Sequence, residues 1–199
     1  ALGPFTNNLP NGGGTVRLCN RSDAILLEVN YGDDGPWPAA ADGAGHSLVL
    51  AYPDYGEGSE KAWAPSAYIG GSPGTLDPAP PAWAQQVVIN ELLAHTDPPL
   101  VDYIELFNTG ATSVDISGCY LSDDPATNKY RIPNGTVIGP RGFALFYQTN
   151  GFGFLMDPGG ESVYLVASNQ SHVIDAIKYP AQINAVSSGR YPDGAPGFQ

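Results

Sequence analysis

One pattern occurs twice in this chain, near either end. Gly12-Gly13-Gly14-Thr15-Val16-Arg17-Leu18 resembles Gly159-Gly160-Glu161-Ser162-Val163-Tyr164-Leu165. After a polar turn in each, Ile25-Leu26-Leu27-Glu28-Val29-Asn30-Tyr31-Gly32 resembles Val173-Ile174-Asp175-Ala176-Ile177-Lys178-Tyr179-Pro180. The offset is 147 residues from Val16 to Val163 and 148 from Tyr31 to Tyr179, so the second turn holds one extra residue. Within each copy apolar Val and Leu alternate with polar or aromatic neighbours, the period of two of a half-buried strand. The glycines ahead of each strand admit positive φ. Asn20-Arg21-Ser22-Asp23 and Ser168-Asn169-Gln170-Ser171 are turn chemistry. The pattern predicts the same β-hairpin at two places.

The rest of the chain reads as short strands between breakers. Runs at 87–93, 101–107, 113–116, 119–122, 130–132 and 142–147 are each bounded by Gly, Pro, Asn or Asp. In the second run Tyr103, Glu105 and Phe107 fall on the face opposite Asp102, Ile104 and Leu106. Turn signals every ~8–12 residues suit a sandwich. With 25 Gly, 19 Pro and 42% hydrophobic residues, the chain is too apolar for disorder and too interrupted for long helices. The best helical candidate, 59–64, is worth a turn or two with Ser59 as cap. Asp77-Pro78-Ala79-Pro80-Pro81-Ala82 reads as an extended linker, because its prolines bar a central strand and a helix interior.

Charge narrows the partners. Twenty Asp and Glu face eight Lys and Arg, a net charge of −12. The basic residues are scattered from Arg17 to Arg190, so no stripe exists to meet a phosphate backbone or anionic lipid. Nucleic acid and membrane insertion are therefore not expected, and no apolar run reaches the ~20 residues of a membrane span. Position 1 is Ala, and we expect a piece of a longer protein. Cys19 and Cys119 have no C-x-x-C spacing; we read both as free, and the sequence leaves a disulfide between them open.

Candidate chemistry is sparse. Gly70-Gly71-Ser72-Pro73-Gly74 fits G-x-S-x-G, but Thr75-Leu76-Asp77-Pro78 cannot open the helix a nucleophile elbow needs, so we read a tight turn. His46, His95 and His172 have no partners at zinc spacing. Glu91, Asp102 and Glu105 lie on two successive strands. If adjacent, they would shift one another's pKa or invite calcium; otherwise each accepts hydrogen bonds and pins a loop, the reading we favour. Asp33-Asp34-Gly35, Asp42 and Asp123-Asp124 make acidic loops without the EF-hand pattern. Asn20, Asn134 and Asn169 each open an N-x-S/T sequon. Tyr52, Tyr55, Trp63 and Tyr68 share one Gly/Pro-rich stretch and form a candidate patch for carbohydrate or protein. No cofactor is expected.

An ordered series of segments is familiar. Val87-Val88-Ile89-Asn90-Glu91-Leu92, Asp102-Tyr103-Ile104-Glu105-Leu106-Phe107-Asn108 and Val114-Asp115-Ile116-Ser117-Gly118-Cys119-Tyr120-Leu121-Ser122-Asp123 resemble the bacterial lamin-tail domain. Arg131-Ile132-Pro133-Asn134-Gly135-Thr136, Gly142-Phe143-Ala144-Leu145-Phe146, the second hairpin and Gly189-Arg190-Tyr191-Pro192-Asp193-Gly194 continue the resemblance in order. No single motif is strong; the order is. Cys119 stands where the family usually has Trp, and Tyr120 or Phe143 is expected to fill the space.

The resemblance implies an all-β, immunoglobulin-like antiparallel β-sandwich over 86–199, preceded by a linker at 79–85. Residues 1–78 resemble the C-terminal half of another copy. Bacterial members accompany extracellular nucleases, phosphatases and kinase-like spore-coat proteins. The implied function is a non-catalytic module of a larger exported protein, extracellular or in the cell envelope. It would tether or bind a protein partner, or neighbouring domains of its own chain. The alternative is a carbohydrate- or calcium-binding accessory domain of an extracellular enzyme.

Overall fold

Both copies of the repeated pattern form antiparallel hairpins. The computed structural model describes residues 8–199 and divides the chain into two compact units, Ala1–Pro78 and Ala79–Gln199. In the first unit β1 (Gly14–Cys19) pairs with β2 (Ile25–Tyr31), and β3 (Leu48–Leu50) pairs with β4 (Trp63–Pro65). The helix expected at 59–64 is a three-residue 3-10 turn, Glu60–Ala62, and the Ser59 side chain makes no cap hydrogen bond. The buried apolar residues here are small: Ala39, Ala40, Ala44, Ala62 and Ala67, with Val29. Few of them offer a long side chain to bury, so little area is removed from water.

The second unit is a sandwich. One sheet runs β11 (Phe143–Tyr147), β6 (Tyr103–Asn108), β5 (Val87–Leu93), β14 (Ser188–Gly189). The other runs β13 (Val173–Pro180), β12 (Gly160–Val166), β8 (Tyr120–Ser122), β9 (Tyr130–Arg131). A short pair, β7 (Val114–Asp115) with β10 (Val137–Ile138), closes one end. Ile89, Leu92, Ile104 and Leu106 from the first sheet meet Leu121, Val163, Leu165 and Ile177 from the second in one buried cluster. The fold is all-β and immunoglobulin-like. The helical pieces among the described residues are three-residue 3-10 turns.

The two hairpins agree in detail. Val16 pairs with Val29 and Leu18 with Leu27; at the matching positions Val163 pairs with Ile177 and Leu165 with Asp175. Each ladder slips at the same step, after Leu18 and after Leu165. Gly13 and Gly160 both have φ of +101°, and a Cβ on either would lie 2.7 Å from the carbonyl oxygen of Tyr31 or Tyr179. Only glycine fits there. Tyr31 donates its hydroxyl to Pro10 O at 2.9 Å, as Tyr179 does to Asp157 O at 3.1 Å. The hairpins differ in cover: Val163 and Leu165 are fully buried, whereas Val16 is 44% and Leu18 52% exposed.

Both cysteines are free; Cys19 is exposed, and burial pushes the Cys119 thiol pKa up. Phe143 does not fill space beside Cys119, because its ring lies on the outer face, stacked on Phe107.

Candidate functional site

Strand β6 sends Ile104 and Leu106 into the core and leaves Tyr103, Glu105 and Phe107 on the outer face. Strand β11 repeats the alternation, with Phe143 opposite Phe107, Leu145 opposite Glu105 and Tyr147 opposite Tyr103. The ring centroids of Phe107 and Phe143 are 4.7 Å apart, and those of Tyr103 and Tyr147 6.1 Å. Phe143, Leu145 and Tyr147 are all exposed. Strand β11 is the last in its sheet, so a row of backbone donors and acceptors borders this apolar ladder. Tyr130 of β9 meets Phe146 edge-on at 6.1 Å, and Tyr130, Pro133, Ala144, Phe146 and Phe152 line a groove of about 340 Å3.

Two carboxylates lie on the same face. Glu91 is directly opposite Glu105, and it accepts the Tyr103 hydroxyl. Burial, reinforced by Glu91, raises the Tyr103 pKa. Burial also raises that of Glu105, with Glu91 and Asp193 acting in the same sense and the Asn90 amide opposing them. Asp102 is elsewhere: it precedes β6, is buried, and accepts the Thr96 hydroxyl at 2.7 Å. Among the described residues no group of three or more His, Cys, Asp or Glu is placed to hold a metal ion.

At β5, the next strand of the same sheet, lies a clasp that the sequence reading did not single out. Asn90 is an extra residue in β5, between the pairs Ile89–Leu106 and Glu91–Glu105. Its Nδ2 donates to Glu105 at 2.9 Å and to Asp193 at 3.1 Å, and its Oδ1 accepts Gly194 N at 3.0 Å. Beside this bulge, Ile89 N donates to Asp175 Oδ2 at 2.7 Å, and Ile89 O accepts Arg190 Nε at 2.8 Å. Arg190 also donates to Asp175 at 2.9 Å and to the carbonyls of Ala195 and Pro196. Burial raises the Asp175 pKa, with Arg190 and the N–H of Ile89 pulling the other way. Two side chains thus take the place of a missing ladder strand and staple the sheets together. The available signal was Asp175, a carboxylate where the first hairpin has Leu27.

The other candidates have structural partners. Ser72 donates its hydroxyl to Asp77 at 2.8 Å in a turn where Gly70 and Gly71 both take positive φ, and no helix follows. His46 Nδ1 lies 2.6 Å from Ser66 O, and His95 Nδ1 lies 2.9 Å from Gln182 O. Tyr52, Tyr55 and Tyr68 are exposed; Trp63 is half-buried and donates its indole N–H to Glu57 O at 3.0 Å. Among the described residues no helix is long and apolar enough to cross a membrane.

The titratable groups predict opposite acid responses in the two units. In the second, burial raises the pKa of Glu105, Glu161 and Asp175, so the folded state keeps protons that the unfolded chain has released. Stability then rises as pH falls from neutral into the upper carboxylate range. In the first, burial lowers the pKa of His46, so stability is lost as pH falls through the ordinary histidine value of about 6.5. Amide exchange at pH 7.5 and 5.5, corrected for intrinsic rates, should show stronger protection in β12 and weaker protection around Ser66. Parallel shifts in both units would refute the assignment.

The geometry defines an immunoglobulin-like sandwich whose side chains supply a sheet edge and a structural clasp. Residues 80–181, just over half the chain, match the lamin tail domain family model, and the chain belongs to that family. This is a family of non-enzymatic, immunoglobulin-like interaction domains. No curated protein and no solved structure matched the chain significantly.

Proposed function

We propose that the second unit is a non-catalytic protein-binding module that tethers a larger exported protein, extracellular or in the cell envelope, and that it binds through β11. The observation that carries this reading is the alternating exposure of Phe143, Leu145 and Tyr147 on a terminal strand. An extended protein segment adding to such an edge gains backbone hydrogen bonds, while its alternate side chains read the ladder. With Glu91 and Glu105 on that face and a net charge of −12, the segment that fits alternates apolar with basic residues.

A synthetic peptide of alternating valine and lysine is a direct probe. Titrated into the chain, it should shift the amide resonances of 143–147 and their β6 neighbours. Leu145→Lys should weaken this binding by about tenfold or more without changing thermal stability, since Leu145 is exposed. Shifts spread over the acidic loops instead would sink the reading, because they would report charge alone. The alternative, a carbohydrate- or calcium-binding accessory domain, draws on the exposed rings of Tyr52 and Tyr55 and on the Glu91–Glu105 pair. A calcium-dependent rise in melting temperature would favour it.

A further inference from the structure

We propose that the β1–β2 hairpin of the first unit is an acceptor for a strand like β8, supplied by the front half of a lamin-tail-type domain. This goes beyond the reading of β11 and concerns a different unit. The template lies in the same chain. In the second unit the free side of β12 is filled by β8: Tyr164 pairs with Ser122, Leu165 with Leu121 and Val166 with Tyr120. Strand β1 has the same register to its hairpin partner, the same slip and the same tyrosine hydroxyl contact, but among the described residues its other side pairs with no strand. The positions that β8 and the facing sheet cover on β12 are the ones left bare on β1. Val16 and Leu18 are exposed where Val163 and Leu165 are fully buried. A hairpin with this much apolar surface in water gains by burying it, and the unpaired backbone of β1 sets an antiparallel strand as the form of the partner.

The template also specifies the chemistry. Arg17 and Glu28 form an ion pair across the hairpin, at the places of Tyr164 and Ala176. Leu27 stands where Asp175 does, so an incoming segment meets a leucine rather than the ionic staple. The fitting strand is therefore patterned like Tyr120-Leu121-Ser122, small or apolar on the side facing Val16 and Leu18, with an apolar neighbour for Leu27.

Cys19 reports on occupancy without any label. It is exposed, whereas its counterpart Val166 is buried beside β8; Cys119 is buried, so its alkylation is expected to be slow. The spacing allows a direct test. Twelve residues separate Tyr147 from Gly160, and twelve precede Gly13. A copy of residues 79–147, with its own Cys119→Ser, can therefore be joined directly to Ala1 of the full chain. Alkylation of Cys19 should then slow by roughly tenfold or more relative to the unextended chain, and Leu18→Lys should restore the original rate. An unchanged rate overturns the proposal. If the extended chain does not fold, the native chain is titrated with a synthetic peptide of residues 114–124 carrying Cys119→Ser, and no slowing up to millimolar peptide overturns it equally. Protection that instead grows with concentration of the native chain alone would assign the edge to a second copy and reject the lamin-tail strand. The readout is Cys19 on β1 of the first unit, and β11 of the second unit is unchanged throughout, so failure here leaves the function proposed for that strand untouched.

Discussion

Arg190→Ala should destabilise the second unit by about 4 kcal/mol, the largest effect of any exchange outside the core. The guanidinium serves four acceptors: Asp175 and the carbonyls of Ile89, Ala195 and Pro196. Its removal leaves the Asp175 carboxylate enclosed with only the N–H groups of Ile89 and Ala176 for company. An enclosed charge without a counter-ion costs far more than the pair contributed. Arg190→Lys should recover only part of the loss, because a lysine has no planar fork with which to reach acceptors on several sides. The pair Asp175→Leu with Arg190→Met removes both charges together and should cost much less than Arg190→Ala alone. The first hairpin already carries Leu27 at the matching place. Urea melts of the four proteins decide the matter. Loss below about 1 kcal/mol for Arg190→Ala would mean that the clasp is ornamental.

Asn108→Ala should cost about 3 kcal/mol. The side chain is fully buried at the end of β6. Its Nδ2 donates toward the carbonyls of Thr112, Ile138 and Gly139, and its Oδ1 accepts Gly110 N at 2.9 Å. One amide thereby ties the loop after β6 to the end of β10. Alanine orphans these groups in a place water does not reach. Asn108→Asp should be worse at neutral pH, although it keeps the bond from Gly110, because it turns a carboxylate toward three carbonyl oxygens. The order of the two melting points is the check. If the aspartate variant were the more stable, the donor role of Nδ2 would be wrong.

What was legible in the sequence depended on contrast between neighbours. In Tyr103-Ile104-Glu105-Leu106-Phe107 the core face is purely aliphatic, and the structure puts Ile104 and Leu106 inside as the alternation requires. The hairpins were legible because Gly13 and Gly160 mark places where no side chain fits. In Phe143-Ala144-Leu145-Phe146-Tyr147 both faces are apolar, so alternation alone cannot say which face meets solvent. The exposed ladder therefore went unread, and the aromatic cluster at 52–68 drew attention instead. Pairing of their strands could bring Glu91 and Glu105 together, although the favoured reading had each pin a loop; the register sets them opposite one another. Asp102 was grouped with them but sits one residue out of phase, against Thr96. The clasp joins Ile89, Asp175 and Arg190 across 86 and 101 residues, a separation that no local pattern spans.

The bulge at Asn90 makes β5 two half-strands in opposite phase. Val87 and Ile89 turn inward by odd number, Leu92 and Ala94 by even number, and both sets belong to the core. Were the ladder to run through without the bulge, Asn90 would pair with Glu105, Glu91 would face Ile104 in the interior, and Leu92 would turn to solvent. The bulge, rather than unbroken alternation, thus sets which side chains of β5 reach the core. A related sequence that lacks the extra residue keeps the same pairs and the same core, and gives up only the contacts of Asn90 to Glu105, Asp193 and Gly194.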